Sequence, residues 1–228
     1  LEEVSIQFSL KKIIMQILAT IDLEEIANQC SCPKGELGIE MGEKMNDSNI
    51  EMTLQTINNL SLDKDDQVLE LGHGNGGHLQ SLINHVNDLQ YFGLEISLTM
   101  ANQARLTNAN LVHEKQASFE LYDGTFIPFQ EQFFQNIFTV NTIYFWKKPK
   151  ALLLEIYRVL QSGGTFAITF AKKYFMEKLP FVQFGFRLWE VSGIIELAKS
   201  IGFEHLESID LEDEVESKSG EIVNRKYI

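Results

Sequence analysis

The chain has 228 residues, 44% of them hydrophobic and 22% charged, which is enough to bury one substantial core, so one domain with decorations is expected. Its formal net charge of −13 argues against a phosphate-backbone partner, because affinity for nucleic acid rests largely on Lys and Arg. A small-molecule partner is expected instead, with no nucleic acid and no stable membrane insertion, since no apolar run reaches the length of a span.

From the N-terminal side, Ile6 to Ala27 carries apolar residues at helical spacing, among them Ile13, Ile14, Ile17, Leu18 and Ile21. This predicts one or two amphipathic helices and not a signal peptide. Cys30 to Asn49 changes character, with Pro33, Gly35, Gly38 and Gly42 expected to break regular structure. Cys30 and Cys32 are too close for an easy disulfide and have no partner ligands nearby, so no metal is expected and a cytoplasmic location is the simplest account. Ser48 is placed to cap a helix from Asn49 to Leu60. Residues 1–60 thus read as a helical cap whose glycine-rich part covers the ligand site, and 61–228 as the core.

Within the core, strands and helices alternate over 67–71, 78–86, 90–94, 98–107, 117–121, 135–140, 148–160 and 164–170. Alternation of this kind predicts an α/β fold, a parallel sheet with helices on both faces. Leu188 to Ser200 reads as a further helix, and Phe203 to Asp210 and Ile222 to Ile228 as the last strands. The chain starts at Leu1 and stops within an apparent strand, so a few terminal residues are expected beyond it.

The most informative stretch is Val68-Leu69-Glu70-Leu71-Gly72-His73-Gly74-Asn75-Gly76-Gly77-His78-Leu79. An apolar strand with one carboxylate opens into a glycine turn and a helix start, a nest of free N–H groups suited to a nucleotide cofactor. Gly72, Gly74 and Gly77 spell G-x-G-x-x-G, the dinucleotide pattern, with Glu95 at the distance expected of a ribose-binding acid. Gly72, Gly74 and Gly76 spell G-x-G-x-G. Glu70 favours this second pattern, because a carboxylate there opposes a pyrophosphate and suits a cationic ligand. S-adenosylmethionine carries both a sulfonium and an ammonium.

With Glu70 before G-x-G-x-G, the chain resembles the class I S-adenosylmethionine-dependent methyltransferases. Three later segments add to the resemblance: Tyr91-Phe92-Gly93-Leu94-Glu95, Leu121-Tyr122-Asp123-Gly124-Thr125-Phe126-Ile127-Pro128-Phe129, and Glu155-Ile156-Tyr157-Arg158-Val159-Leu160-Gln161-Ser162-Gly163-Gly164. Tyr122, Gln161 and Ser162 depart from the family's usual residues. The resemblance covers roughly Gln67 to Phe170, and the core is similar to the quinone-biosynthesis methyltransferases and their relatives. It implies a Rossmann-like seven-stranded sheet of order 3-2-1-4-5-7-6 with an antiparallel seventh strand. It also implies S-adenosylmethionine as cofactor, held by Glu70, Gly72, His73, Gly74, Gly76, Glu95, Ile96, Asp123, Gly124 and Asn141. Among these, Glu95 takes the ribose hydroxyls and Asp123 the adenine amino group.

The acceptor is harder to read. Asn141 to Trp146 follows the fourth strand and faces the expected methyl position, with Tyr144 and Trp146 as an apolar wall. Residues 172–189, rich in aromatic side chains, read as an insertion building a pocket for an apolar or aromatic acceptor, or as a hydrophobic plug or dimer surface. An activated sulfonium needs positioning more than side-chain chemistry, so no catalytic residue is assigned; His73, Asn141 and Tyr144 are candidates only. The reading is a small-molecule methyltransferase and a possible homodimer. A non-catalytic binder of the same cofactor and an NAD-dependent oxidoreductase are the alternatives.

Overall fold

The computed structural model describes residues 22–86, 88–216 and 222–228. Most of the expected N-terminal helix lies outside them, and residues 22–31 are helical (α1). A second helix, α2 (Gly35–Asn58), runs for 24 residues through the segment expected to be broken. Gly38 and Gly42 within it are points of close approach. A Cβ at Gly38 would meet the Pro33 backbone at 2.7 Å, and one at Gly42 would meet Met100 Sδ at 2.5 Å. Packing therefore overrides the cost of about 1 kcal/mol for each glycine in a helix interior. Ser48 caps nothing here; it sits mid-helix, and its hydroxyl donates to the Met45 carbonyl.

The core alternates as expected: β1 (Gln67–Leu71), α3 (Leu79–His85), β2 (Gln90–Glu95), α4 (Leu98–Thr107), α5 (Ala109–His113), β3 (Ala117–Leu121), β4 (Phe134–Val140), a 3-10 turn (Ile143–Phe145), α6 (Pro149–Val159) and β5 (Leu160–Thr169). Ser97 caps α4 by accepting from Met100 N, and Pro149 opens α6, where its missing N–H costs nothing. Among the described residues the main sheet holds five parallel strands in the order 3-2-1-4-5. The break expected between the elements 148–160 and 164–170 is absorbed within β5. Its pairing jumps from Phe134↔Leu160 to Asn136↔Thr165, and Gly163 takes φ 82.

Strand alternation sends neighbouring side chains to opposite faces. Leu69, Leu71 and Ile137 join one buried cluster with α6 residues such as Leu152 and Ile156. Val68 and Phe138 join another with Ile57 of α2, Leu79 of α3 and Ala104 of α4. Glu70 shares the Val68 face, so its carboxylate points toward α3.

After β5 come a short α7 (Lys173–Met176), α8 (Val191–Ile201) and a hairpin of β6 (Leu211–Glu216) and β7 (Ile222–Tyr227). The strand expected over Phe203 to Asp210 is irregular, and β6 begins only at Leu211. Among the described residues the last two strands pair antiparallel as a sheet of their own, so five strands plus two stand where one seven-stranded sheet was expected. The two sheets touch where Ala171 bridges Tyr227 and Phe170 exchanges backbone hydrogen bonds with Ile228. β7 thus runs antiparallel to the chain leaving β5, in the direction expected of a seventh strand.

Candidate functional site

A cavity of 560 Å³ opens at the carboxyl ends of β1, β2 and β4, where open parallel sheets bind ligands. Its floor is the glycine loop. Gly72, Gly74 and Gly76 all have positive φ, at 75, 59 and 67°, a region that Cβ-bearing residues rarely adopt. A Cβ on Gly74 would enter open space, so there the requirement is conformational. Gly76 faces away from the cavity, where a Cβ would lie 2.9 Å from Asn108 Nδ2 and 3.1 Å from Ala104. It lets the loop pack on α4.

The expected nest of free N–H groups is largely closed. Gly72 N donates to Leu94 O, Gly74 N to Glu95 Oε2, Gly76 N to His73 O and Gly77 N to Asn75 Oδ1. Turn geometry and a nearby carboxylate take donors that a pyrophosphate would need.

Glu95 ends β2 nearly buried, accepting from Gly74 N at 3.1 Å, Ile96 N at 2.7 Å and Ser97 N at 2.9 Å. Burial pushes its carboxyl above the ordinary value, with those backbone donors working against the shift. Ile96 and Gly124 face one another across the next stretch of wall, a Cβ on Gly124 falling 3.3 Å from Ile96 Cγ2. Asp123 is exposed at the rim and closes its own turn, accepting from Thr125 N and Phe126 N; these bonds hold its carboxyl below the usual range.

Glu70 also lines the cavity, 3% exposed. Two buried donors converge on its Oε2, His78 Nε2 at 2.7 Å and Tyr91 Oη at 2.5 Å. Burial opposes charge on both Glu70 and His78. Their mutual attraction prevails, lowering the carboxyl and raising the imidazole, so they form an ion pair. His78 carried no role in the sequence because its partner lies on another element.

The three catalytic candidates are all engaged elsewhere. The His73 ring sits over Gly93 and edge-on to Phe119, with Nδ1 2.9 Å from Gly74 O and Nε2 buried without a partner. Burial pushes its value down to about 4, so it is neutral at pH 7. Tyr144 does not line the cavity; its hydroxyl donates to Ala171 O and lies 3.2 Å from Asn141 Oδ1. Asn141 lines it with φ 56, its amide spent on Asn49 Oδ1, Met52 Sδ, Tyr144 and Ala171 N. Its side chain is braced by the wall.

The opposite wall comes from the segment expected to cover the cofactor, through residues that were not among the expected site residues. Gly42, Met45, Asn46, Asn49 and Thr53 of α2 line the cavity as one helical stripe, and Cys32, Pro33 and Lys34 extend it. The spacing was visible, but the glycines hid the helix. Asn46 packs against the loop itself, its Oδ1 2.9 Å from where a Cβ on Gly77 would be. Phe145, Trp146 and Lys147 complete the mouth, whereas none of residues 173–189 lines it. Phe186 packs instead on Tyr144, Phe145 and Phe181, the plug arrangement. No helix among the described residues is long and apolar enough to cross a membrane.

Comparison with known proteins agrees with this geometry. Residues 69–168 match a family described as a methyltransferase domain. The uncharacterized methyltransferase YdaC of Bacillus subtilis (strain 168) is 30% identical over 115 residues, 50% of this chain and 61% of YdaC; the chain thus spans about three fifths of that relative. Among solved structures, a complex of the Haloferax volcanii Trm112 methyltransferase activator with a methyltransferase superimposes with TM-score 0.62 at 22% identity, covering 71% of each chain. The cyclase SpnF gives 0.59 at 19% identity, over 73% of this chain and 60% of its own. These two likenesses concern the fold.

Proposed function

The chain belongs to the class I S-adenosylmethionine-dependent methyltransferase family, and from that premise we propose that it moves a methyl group from S-adenosylmethionine to a small-molecule acceptor. The observation that carries the reading is the acidic floor: Glu70 and Glu95 line a cavity in whose loop the N–H groups of Gly72, Gly74, Gly76 and Gly77 are already bonded. Such a floor suits a cationic sulfonium and ammonium and opposes a pyrophosphate, which speaks against an NAD-dependent oxidoreductase. S-adenosylmethionine supplies an activated methyl that needs no covalent help from the protein.

The chain's own residues then bind and shield. Glu95, fixed by three backbone donors, takes a ribose hydroxyl on its remaining lone pair. Ile96 and Gly124, packed side by side, give the adenine one wall, with Asp123 at its amino edge. Glu70 faces the amino-acid half, beside Gly72 and Gly74. Residues 22–58, the described part of the expected cap, act as a cover that keeps water from the methyl. Phe145, Trp146, Met45 and Met100 give the acceptor side an apolar surface, which favours an apolar or aromatic acceptor presenting one polar atom to Asn49 or Thr53. With His73 neutral and enclosed, the acceptor arrives without a histidine base, so positioning supplies the acceleration.

A second reading is binding of the same cofactor without methyl transfer. It is favoured by the burial of His73, which leaves that ring neutral and bonded within its own loop, and by the fold's likeness to a protein named as a cyclase. Calorimetry with S-adenosylmethionine, S-adenosylhomocysteine and NAD tests the site. Tight NAD binding with no response to the other two would sink both readings. A screen of acceptors with labelled methyl donor separates transfer from binding alone.

A further inference from the structure

Glu70, His78 and Tyr91 form a buried polar cluster beneath the cavity, 3%, 5% and 1% exposed. Both hydrogen bonds arrive at one oxygen, Oε2, while Glu70 and His78 each line the cavity. A buried carboxylate needs a counter-charge, and His78 is the cation within hydrogen-bond reach of it.

The charged and titratable groups around the pair come from several elements. Tyr91 and Glu95 belong to β2, His73 to the glycine loop and Arg105 to α4. Tyr91 stays protonated as a donor, because burial and Glu70 both push its hydroxyl up. His73 is neutral, so His78 is the group beside Glu70 free to change charge near neutral pH.

We propose that His78 is a positioning residue that neutralises Glu70 until a cationic amino group enters the cavity, and that ligand binding then releases the His78 proton to solvent. The inference rests on reading the cavity as a methyl-donor site. One carboxylate cannot fully balance two cations, so the incoming ammonium and the imidazolium compete for it. Neutral His78 keeps its hydrogen bond, so Glu70 holds its orientation. By linkage, affinity rises with pH, by up to tenfold per pH unit where His78 is fully protonated in the free protein.

Isothermal calorimetry of the full chain in phosphate and in Bis-Tris, from about pH 6 to 7, counts protons released on binding. S-adenosylmethionine and S-adenosylhomocysteine should both release a fraction of a proton. 5′-Methylthioadenosine, which keeps the adenosine but lacks the amino-acid half, should release none; this separates His78 from any response of Glu95. His78→Gln should bind both larger ligands without proton release and with a flat pH profile. Should that variant fail to fold, the wild-type counts still decide. Binding of the larger ligands with no proton release, or with the same release as methylthioadenosine, overturns the inference alone. If none of the three binds, the methyl-donor reading itself falls.

Discussion

The imidazole of His73 lies over Gly93, so closely that a Cβ on Gly93 would fall 2.6 Å from His73 Cδ2 and 3.0 Å from Phe119 Cδ1. The glycine in the middle of β2 therefore makes room for the loop that floors the cavity.

Gly93→Ala should destabilise the fold by about 1–3 kcal/mol, the usual cost of overpacking a filled core. Cofactor affinity should fall with it, because the ring can move only by shifting the glycine loop. Urea denaturation and calorimetry check both; an alanine accepted with no change in either would show that the contact is soft.

Glu95→Ala leaves three backbone N–H groups, at Gly74, Ile96 and Ser97, without their acceptor. Stability should drop by roughly 1–3 kcal/mol, and S-adenosylmethionine affinity should drop further. Glu95→Gln keeps one acceptor oxygen and should recover part of the stability but less of the affinity. Melting curves with and without ligand read the two effects apart, and unchanged ligand stabilisation in the alanine variant would remove Glu95 from the ribose site.

His73 gives the fold an acid sensitivity. Its folded value of about 4 lies below the ordinary 6.5, so between these the unfolded chain binds more protons. Its contribution is complete above pH 6.5 and is lost as pH falls toward 4, with an upper bound on the order of 3 kcal/mol. Glu70, lowered by His78, adds loss in the same direction below 4.5. His78, raised by Glu70, works the opposite way and weakens the fold as pH rises past its own value. His73→Phe should flatten the decline between pH 6.5 and 4.5 in denaturant midpoints; an unaltered slope would place the acid sensitivity elsewhere.

Arg225 of β7 is 5% exposed and pairs with Asp213 of β6, while donating to Asn49 Oδ1 and Ser48 O of α2. Arg225→Ala buries an unpaired Asp213 and should cost about 3–5 kcal/mol. Arg225→Met with Asp213→Leu should recover much of that stability yet leave α2 less firmly held, which hydrogen exchange across residues 45–53 would report. Equal protection in wild type and double variant would mean that the hairpin does not brace the helix.

How much of this was legible depended on how local the cause was. β1, its glycine loop and the acid ending β2 are written in short contiguous patterns, and the cavity forms where they predict. Gly38 and Gly42 misled because a glycine marks either a break or a close approach, and only Pro33 and Met100, brought near by folding, decide which. His78 was silent because its partner Glu70 reaches it from β1, with Tyr91 of β2 on the same carboxylate oxygen. The aromatic run around Phe181 announced burial but not against what, and it went to Tyr144 and Phe145 instead of the cavity. The last strands separated from the sheet for a similar reason: pairing partners are a property of the assembled edge, not of Phe203 to Asp210.

The Arg225 bond to Asn49 joins positions 176 residues apart, and Asn49 in turn holds Asn141, 92 residues from it. Closing loops that long is slow compared with forming a neighbouring strand–helix–strand unit. The floor of the cavity, built from residues 67–95, is therefore expected to gain amide protection early in refolding, and its far wall only when the chain's last strand docks. Pulse-labelled exchange would see binding competence appear as a late event, after most of the sheet is already protected.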